Sequence, residues 1–208
     1  MENLILEGRH VRLEPLDLRH VDALTAASAV DPSLYQWSAV PVGAAAVQKY
    51  VESAVAARMA GTAVPFVILR RADGEVVGST RYFDLERWPW PADHPKAQDT
   101  IPDACEIGYT WYTKSAIRTA ANTEAKLMML THAFEVWQMV RVCLHTDERN
   151  VRSRAAMERL GCRFEGILRS HRLAVDLIPR NSARFSIVAA EWPETKARIQ
   201  AMIAKYDG

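Results

Sequence analysis

Between residues 117 and 126 the chain reads IRTAANTEAK, just ahead of a long apolar helical pattern. Arg118 offers a fixed charge, and Thr119, Asn122 and Thr123 offer side-chain donors. The first amides of a helix and the positive end of its dipole make such a loop a ready anion site. The plainer reading is that Asn122 or Thr123 only caps the helix. Upstream, CEIGYTWYT has strand character and carries Glu106. A carboxylate on a strand entering a cleft has its pKa raised toward the working range and serves as a general base, directly or through water. The alternative is an ion pair between Glu106 and an arginine on a neighbouring strand. Cys143 and His145 alternate on a later strand and read as packing, not as a nucleophile pair, because no orienting group is evident. His171, beside Arg172, is more readily structural than catalytic.

The elements that position these residues follow from periodicity. RHVRLEPL alternates as a first strand. Two helical stretches come next, LRHVDALTAASAV between Asp17 and Asp31, then Ala44 to Ala60 with Val47, Val51, Val55 and Met59 at intervals of four and Gly61 as a stop. AVPFVILRRADGEVVGSTRYF contains two β-rich runs around Asp73-Gly74, a tight-hairpin pair. The polar, proline-rich DLERWPWPADHPKAQDTIPD is a long excursion. After the CEIGYTWYT strand come a central helix over 123–139, the strand VRVCLHTD, and a short helix with Asn150 as N-cap and Gly161 just past its end. Two further strands, RFEGILRSHRLA and ARFSIVAAE, precede a closing helix, EWPETKARIQAMIAKY. The order β α α β β β α β α β β α predicts a mixed α/β (α+β) plan of about seven strands in a single domain over 1–208, with one parallel strand pair across the central helix.

Composition narrows the function. The chain has 208 residues, with 26 Lys+Arg against 25 Asp+Glu, so nothing global recommends a nucleic-acid or membrane partner. Locally the balance tips: ten arginines and no lysine stand against five carboxylates between Arg141 and Arg184, which favours an anionic ligand. Cys105, Cys143 and Cys162 lie far apart without metal-ligand spacing, so no metal is expected and the thiols read as reduced and buried in a cytoplasmic protein. MENLILEGRHVRLEPL is neither signal peptide nor membrane span. The absence of GxxxxGK[ST] speaks against a nucleotide hydrolase.

Five segments in order carry a family resemblance: LEGRHVRLEPL, EIGYTW, NTEAKLMMLTHAFE, RVCLHTDERNVRSRAAMERLGCRFEGILR and FSIVAAEWP. From about Leu6 to Trp192 the chain resembles the GNAT superfamily of N-acetyltransferases, and within it the RimJ/RimL-type branch that acetylates ribosomal-protein N-termini. The resemblance implies the GNAT acyl-CoA fold, acetyl-CoA as co-substrate, and as partner an amine acceptor, either a protein N-terminus or a small molecule. It implies that the loop Arg118, Thr119, Ala120, Ala121, Asn122 and Thr123 wraps the pyrophosphate. The family glycine pattern falls here on Arg118, Ala121 and Thr123, so an alanine replaces a glycine. A left-handed alanine costs on the order of 1 kcal/mol. The expectation is therefore that φ stays negative at Ala121 and that Thr119, Asn122 and Thr123 replace amide contacts with side-chain ones.

The resemblance also implies that the fourth strand splays from the fifth, leaving the main chain of Trp111, Tyr112 and Thr113 for the pantetheine arm. Asn150 would reach the pantetheine amides, and Arg152 and Arg154 the adenosine phosphates. The usual tyrosine acid falls on Met157, which cannot donate a proton; the branch points instead to Ser153, which serves equally as a capping residue. Trp37, Arg81, Tyr82, Asp84, Trp88 and Trp90 are candidates for the acceptor mouth, although such aromatics also cover core edges. Helix 191–206 and the excursion are candidate homodimer surfaces. The altered loop and Met157 keep a second class open, a weakly active or non-catalytic acyl-CoA-binding scaffold.

Overall fold

The computed structural model describes residues 4–206. Eight strands form one sheet: β1 (Leu6–Glu7), β2 (Val11–Pro15), β3 (Ala63–Arg70), β4 (Val76–Glu86), β5 (Ala104–Tyr112), β6 (Arg141–Asp147), β7 (Arg163–Leu173) and β8 (Pro179–Val188). Their order is β1-β2-β3-β4-β5-β6-β8-β7. All neighbours are antiparallel except β5 and β6, the pair joined through the central helix. The eighth strand, beyond the seven expected, is β1, whose two residues are too few to show an alternation. Five α-helices accompany the sheet: α1 (Val21–Ala29), α2 (Ala44–Met59), α3 (Ala121–Thr131), α4 (Val151–Leu160) and α5 (Trp192–Ile203).

Helices α3 and α5 cover one sheet face, where Met129, Leu130 and Ile199 bury against Phe66, Tyr82, Ile107, Val142 and Phe185. On the opposite face α1 and α2 cover only the β2–β4 side and the end of β5, through Leu24, Val47, Val51, Val67 and Trp111. Farther along that face β5, β6 and β8 present Glu106, Cys143, His145, Arg184 and Ser186. The apolar face of α5 is taken by its own chain, with Trp192 stacked on Phe134 at 5.3 Å and Ile199 and Ile203 in the same core. The excursion is tied to Asp103, whose carboxylate accepts from Trp88 N (2.9 Å), Trp90 Nε1 (2.9 Å) and Lys96 Nζ (3.2 Å).

The start of α3 is fixed from the far side by its own glutamate. The Glu124 carboxylate accepts hydrogen bonds from the amides of Arg9 (2.8 Å), His10 (2.7 Å) and Val11 (2.8 Å), turning β1 into β2 around it. Gly8 is required beside it, since a Cβ there would lie 2.4 Å from the carboxylate. Removing an acceptor shared by three largely buried amides leaves each of them unsatisfied. Glu124→Ala is therefore expected to lower the free energy of unfolding in urea by about 3 kcal/mol. A loss below about 0.5 kcal/mol, the range of ordinary surface substitutions, would show that water replaces the carboxylate without penalty.

Candidate active site

β5 and β6 stay together for three residue pairs, Ala104↔Arg141, Cys105↔Val142 and Glu106↔Cys143, and then part. Beyond Glu106, β5 follows β4 while β6 follows β8, so a wedge opens between them. The cause is a β-bulge. Ser79 pairs with Trp111 but Arg81 pairs with Gly108, so β5 carries one extra residue, and Tyr109 takes φ 50° within it. A bulge bends and twists its strand away from a straight partner. The buried Lys126 of α3 holds this point, donating to Thr110 Oγ1 (2.9 Å) and Thr80 Oγ1 (3.5 Å), hydroxyls that themselves lie 2.8 Å apart.

Strand alternation decides which main-chain groups face the wedge. Thr113 N donates to Val77 O (2.8 Å), and the Trp111 carbonyl lies so close to Gly78 that a Cβ there would be 2.1 Å from it. Both residues are therefore turned toward β4, against expectation. Of the three, Tyr112 faces the other way, and its carbonyl already accepts from Tyr35 OH at 3.3 Å. Burial raises the pKa of the Tyr112 phenol well above its usual range.

Glu106 stands where the strands separate, 5% exposed. Its Oε2 is 2.6 Å from His145 Nδ1 on β6 and 3.4 Å from Arg172 Nη2 on β7, and the same Arg172 nitrogen is 2.9 Å from Asp84. The His145 contact is close in distance but out of line for a linear hydrogen bond, and neither ring nitrogen has an aligned partner among the described residues. The His171 ring lies 5.1 Å from that of His145. Burial lowers the pKa of His171, and the Arg172 guanidinium pushes the same way against the opposing Glu106 carboxylate. Three readings change as a result. Glu106 is a carboxylate beside His145 that the sequence did not show, His171 belongs to the same cluster, and Glu106 does meet an arginine, from β7 and not from an adjacent strand. Cys143 plays no part in this cluster; its sulfur receives Arg141 Nε (3.0 Å) and Arg184 Nη2 (3.5 Å).

At the α3 end the left-handed residue is Arg118, with φ 63°, while Ala121 opens the helix without positive φ, as expected. The helix starts two residues before 123, with Ala120 at the N-cap, so neither Asn122 nor Thr123 caps it. Its first i→i−4 bond runs from Glu124 N to Ala120 O (2.9 Å), which leaves the preceding amides without helical partners. Two side-chain expectations fail here. The Thr119 hydroxyl donates to Ala116 O (2.7 Å) and accepts from Ala121 N (3.2 Å), and Thr123 is buried at 2% exposure. Exposed Arg118 and half-buried Asn122 remain beside the amides.

Asn150 caps α4, its Oδ1 accepting from Ser153 N at 3.0 Å, which puts Ser153 in the first turn. Arg152 donates to Leu34 O (3.2 Å) and Arg154 to Glu148 O (3.3 Å), so both are engaged with the main chain. Arg149, which the sequence did not single out, fastens three segments. It binds the buried Asp147 (2.7 Å) and Asp176 (2.9 Å) and lies 4.4 Å over the Trp37 ring. A hollow of about 300 Å³ here is lined by Leu34, Trp37, Arg149, Asn150 and Arg152.

Trp37 therefore joins the residues expected for the cofactor, not the acceptor. Arg81 and Asp84 do share the Glu106 face, but Tyr82 does not: alternation turns it into the core, 0% exposed, where its hydroxyl donates to Met129 O (2.6 Å). Trp88 stays with the Asp103-anchored excursion, at the end of the sheet where β5 and β6 are still paired. Met157 is buried in the core. Among the described residues no cluster of metal-ligating side chains occurs, and no helix is long and apolar enough to cross a membrane.

A family described as acetyltransferase (GNAT) domain matches residues 10–163. A GCN5-related N-acetyltransferase from Brucella melitensis is 31% identical, with a TM-score of 0.81, covering 98% of this chain and 86% of that one. Mycobacterium smegmatis RimJ in complex with CoA-disulfide is 25% identical, with a TM-score of 0.73 over 92% of this chain and 88% of that one. The ribosomal-protein-S5-alanine acetyltransferase of Vibrio fischeri shares the fold at 14% identity, with a TM-score of 0.70 over 91% of this chain and 99% of that one. No curated protein matches.

Lys126, which braces the bulge, carries a pH signature. Burial lowers its pKa from 10.5 to about 7, so between those values the unfolded chain binds the extra proton and the folded chain does not. Stability is thus lost as pH falls from about 10.5 to about 7 and levels off below. Lys126→Met should be more stable than wild type, and its advantage should grow from pH 9.5 to pH 6.5 by on the order of 3 kcal/mol. An advantage equal at both pH values, read by denaturant titration, would mean that the amine stays charged in the fold.

Proposed function

Because the chain belongs to the GNAT acetyltransferase family, we propose that it transfers the acetyl group of acetyl-CoA to a primary amine, by direct attack of the amine on the thioester. The observation that carries this reading is the wedge that opens after Glu106, with a buried carboxylate–histidine pair where the strands part. Acetyl-CoA supplies the activated acyl group. The outward amides of the α3 start and the Arg118 guanidinium would take its pyrophosphate, Tyr112 and Asn150 the pantetheine arm, and the hollow at Trp37 and Arg149 lies along the same side.

In the transfer the nitrogen–carbon bond forms as the carbon–sulfur bond breaks. The amine must lose a proton and the thiolate must gain one. Glu106 with His145 takes the first, the amine's proton passing either to the carboxylate itself or to the imidazole beside it. The Ser153 hydroxyl, in the first turn of α4, is the donor assigned to the sulfur. The ribosomal-protein N-terminal branch remains our choice within the family, with a small-molecule amine as the other acceptor class. The scaffolding alternative keeps Met157 in its favour but not Ala121, since the positive φ falls instead on Arg118.

Two measurements test this reading. Calorimetric titration should give micromolar acetyl-CoA binding with no binding of ATP, and Arg118→Glu should weaken it roughly tenfold or more, the scale of a charge-assisted hydrogen bond. Unchanged affinity in the variant would remove Arg118 from the pyrophosphate site. In steady-state assays with amine and N-terminal peptide acceptors, Glu106→Gln and His145→Asn should each lower kcat roughly 100-fold and flatten the rise of rate with pH. If His145→Asn keeps the wild-type profile, Glu106 acts as base without the imidazole.

A further inference from the structure

The Glu106 face holds a buried guanidinium that no described residue meets in an ion pair. Arg81 on β4 stands opposite Gly108, one register step from the Phe83↔Glu106 pair and on the same face. It is 6% exposed, and its Nε and Nη2 are sealed from solvent with no hydrogen-bond partner. What surrounds it is aromatic: the guanidinium lies 4.1 Å from the Tyr109 ring centroid and 5.1 Å from that of Tyr50. Arginine cannot shed its proton, and two ring faces return less than burial of an unpaired charge costs. Nearby carboxylates are already engaged, Asp84 with Arg172 and Glu106 with Arg172 and His145. Arg180, half-buried on the same side, has only the Ser182 hydroxyl, at 3.0 Å.

A bare amine would add a further cation to this face and leave Arg81 unpaired. We propose that Arg81 binds a carboxylate belonging to the acceptor, so that the acceptor is a primary amine with a carboxylate a few bonds from its nitrogen. The proposal rests on the acetyl-transfer reading and narrows its substrate class. Nη1, the one guanidinium nitrogen that is not sealed, offers a charge-assisted hydrogen bond to a carboxylate, while the diagonal from Arg81 to Glu106 sets the amine beside its base. Bond changes at the thioester are those already given; the carboxylate only orients. Its source is either the acceptor's own α-carboxylate or the acidic side chain at the first residue of a peptide.

The test is calorimetric titration of the CoA-loaded protein with two matched pairs, an α-amino acid against its carboxamide, and an aspartate-first peptide amide against its asparagine-first counterpart. In wild type the carboxylate member of one pair should bind roughly tenfold tighter or more, and that pair identifies the source. Arg81→Met should erase the preference; Arg81→Lys, which keeps the charge but places it on a compact, more strongly hydrated group, should reduce it and serves if the methionine variant does not fold. Equal binding within both pairs in wild type, or a preference that survives in the variants, overturns the assignment. Carboxylate-selective binding without any acetylation would instead sink the catalytic reading and leave Arg81 in place. Acetylation of neutral amines with no selectivity would do the reverse.

Discussion

A parallel strand pair that lasts only three residues is the constraint on which the rest of this molecule depends. Unpaired strand edges inside a protein carry donors and acceptors that must find partners. On β5 the groups turned toward β4 are satisfied by the ladder, whereas Tyr112 faces the wedge and borrows a phenol from Tyr35. One extra residue at Tyr109 produces both effects, bending the strand and exchanging which side chains look into the wedge. The buried Lys126 that pins the bulge is tolerated because its amine can be neutral near pH 7 and still donate to Thr110.

Electrostatically the two sides of the wedge differ. At the α3 end the negative group, Glu124, is turned away and used up by three amides of the β1–β2 turn, so the remaining amides and Arg118 present an undiluted positive end. On the opposite face Glu106 is a lone buried carboxylate among Arg81, Arg172, His145 and His171. The first arrangement suits a polyanion held by its phosphates. The second suits chemistry on a nitrogen that arrives with its own counter-charge.

The two sides meet through an exposed hydrogen bond and a cation–π contact. The segment between α1 and α2 touches α4 through Arg152 and Leu34 and through Arg149 and Trp37, contacts made by long surface side chains and one carbonyl. Contacts of this kind are individually weak.

Much of this was legible from periodicity and spacing. The order of strands and helices, the Asp73-Gly74 hairpin, the Asn150 cap and the negative φ at Ala121 rest on local rules that a short stretch of chain obeys by itself; the splay between β5 and β6 was implied only by the family resemblance. Tertiary structure alone decided the rest. His145 acquired its neighbouring carboxylate because a parallel pairing across a long crossover set Glu106 beside Cys143, a register no local pattern encodes. Tyr82 went to the core and Arg81 to the cleft because the pairing of β4 fixed which face each would take. Thr119 and Thr123 ceased to be free donors once the helix began two residues earlier than the cap residues indicated. Sequence determines which groups are available and how each segment curls; which of them end up within a bond length of one another depends on strand register, and register is set by the packing of the whole sheet.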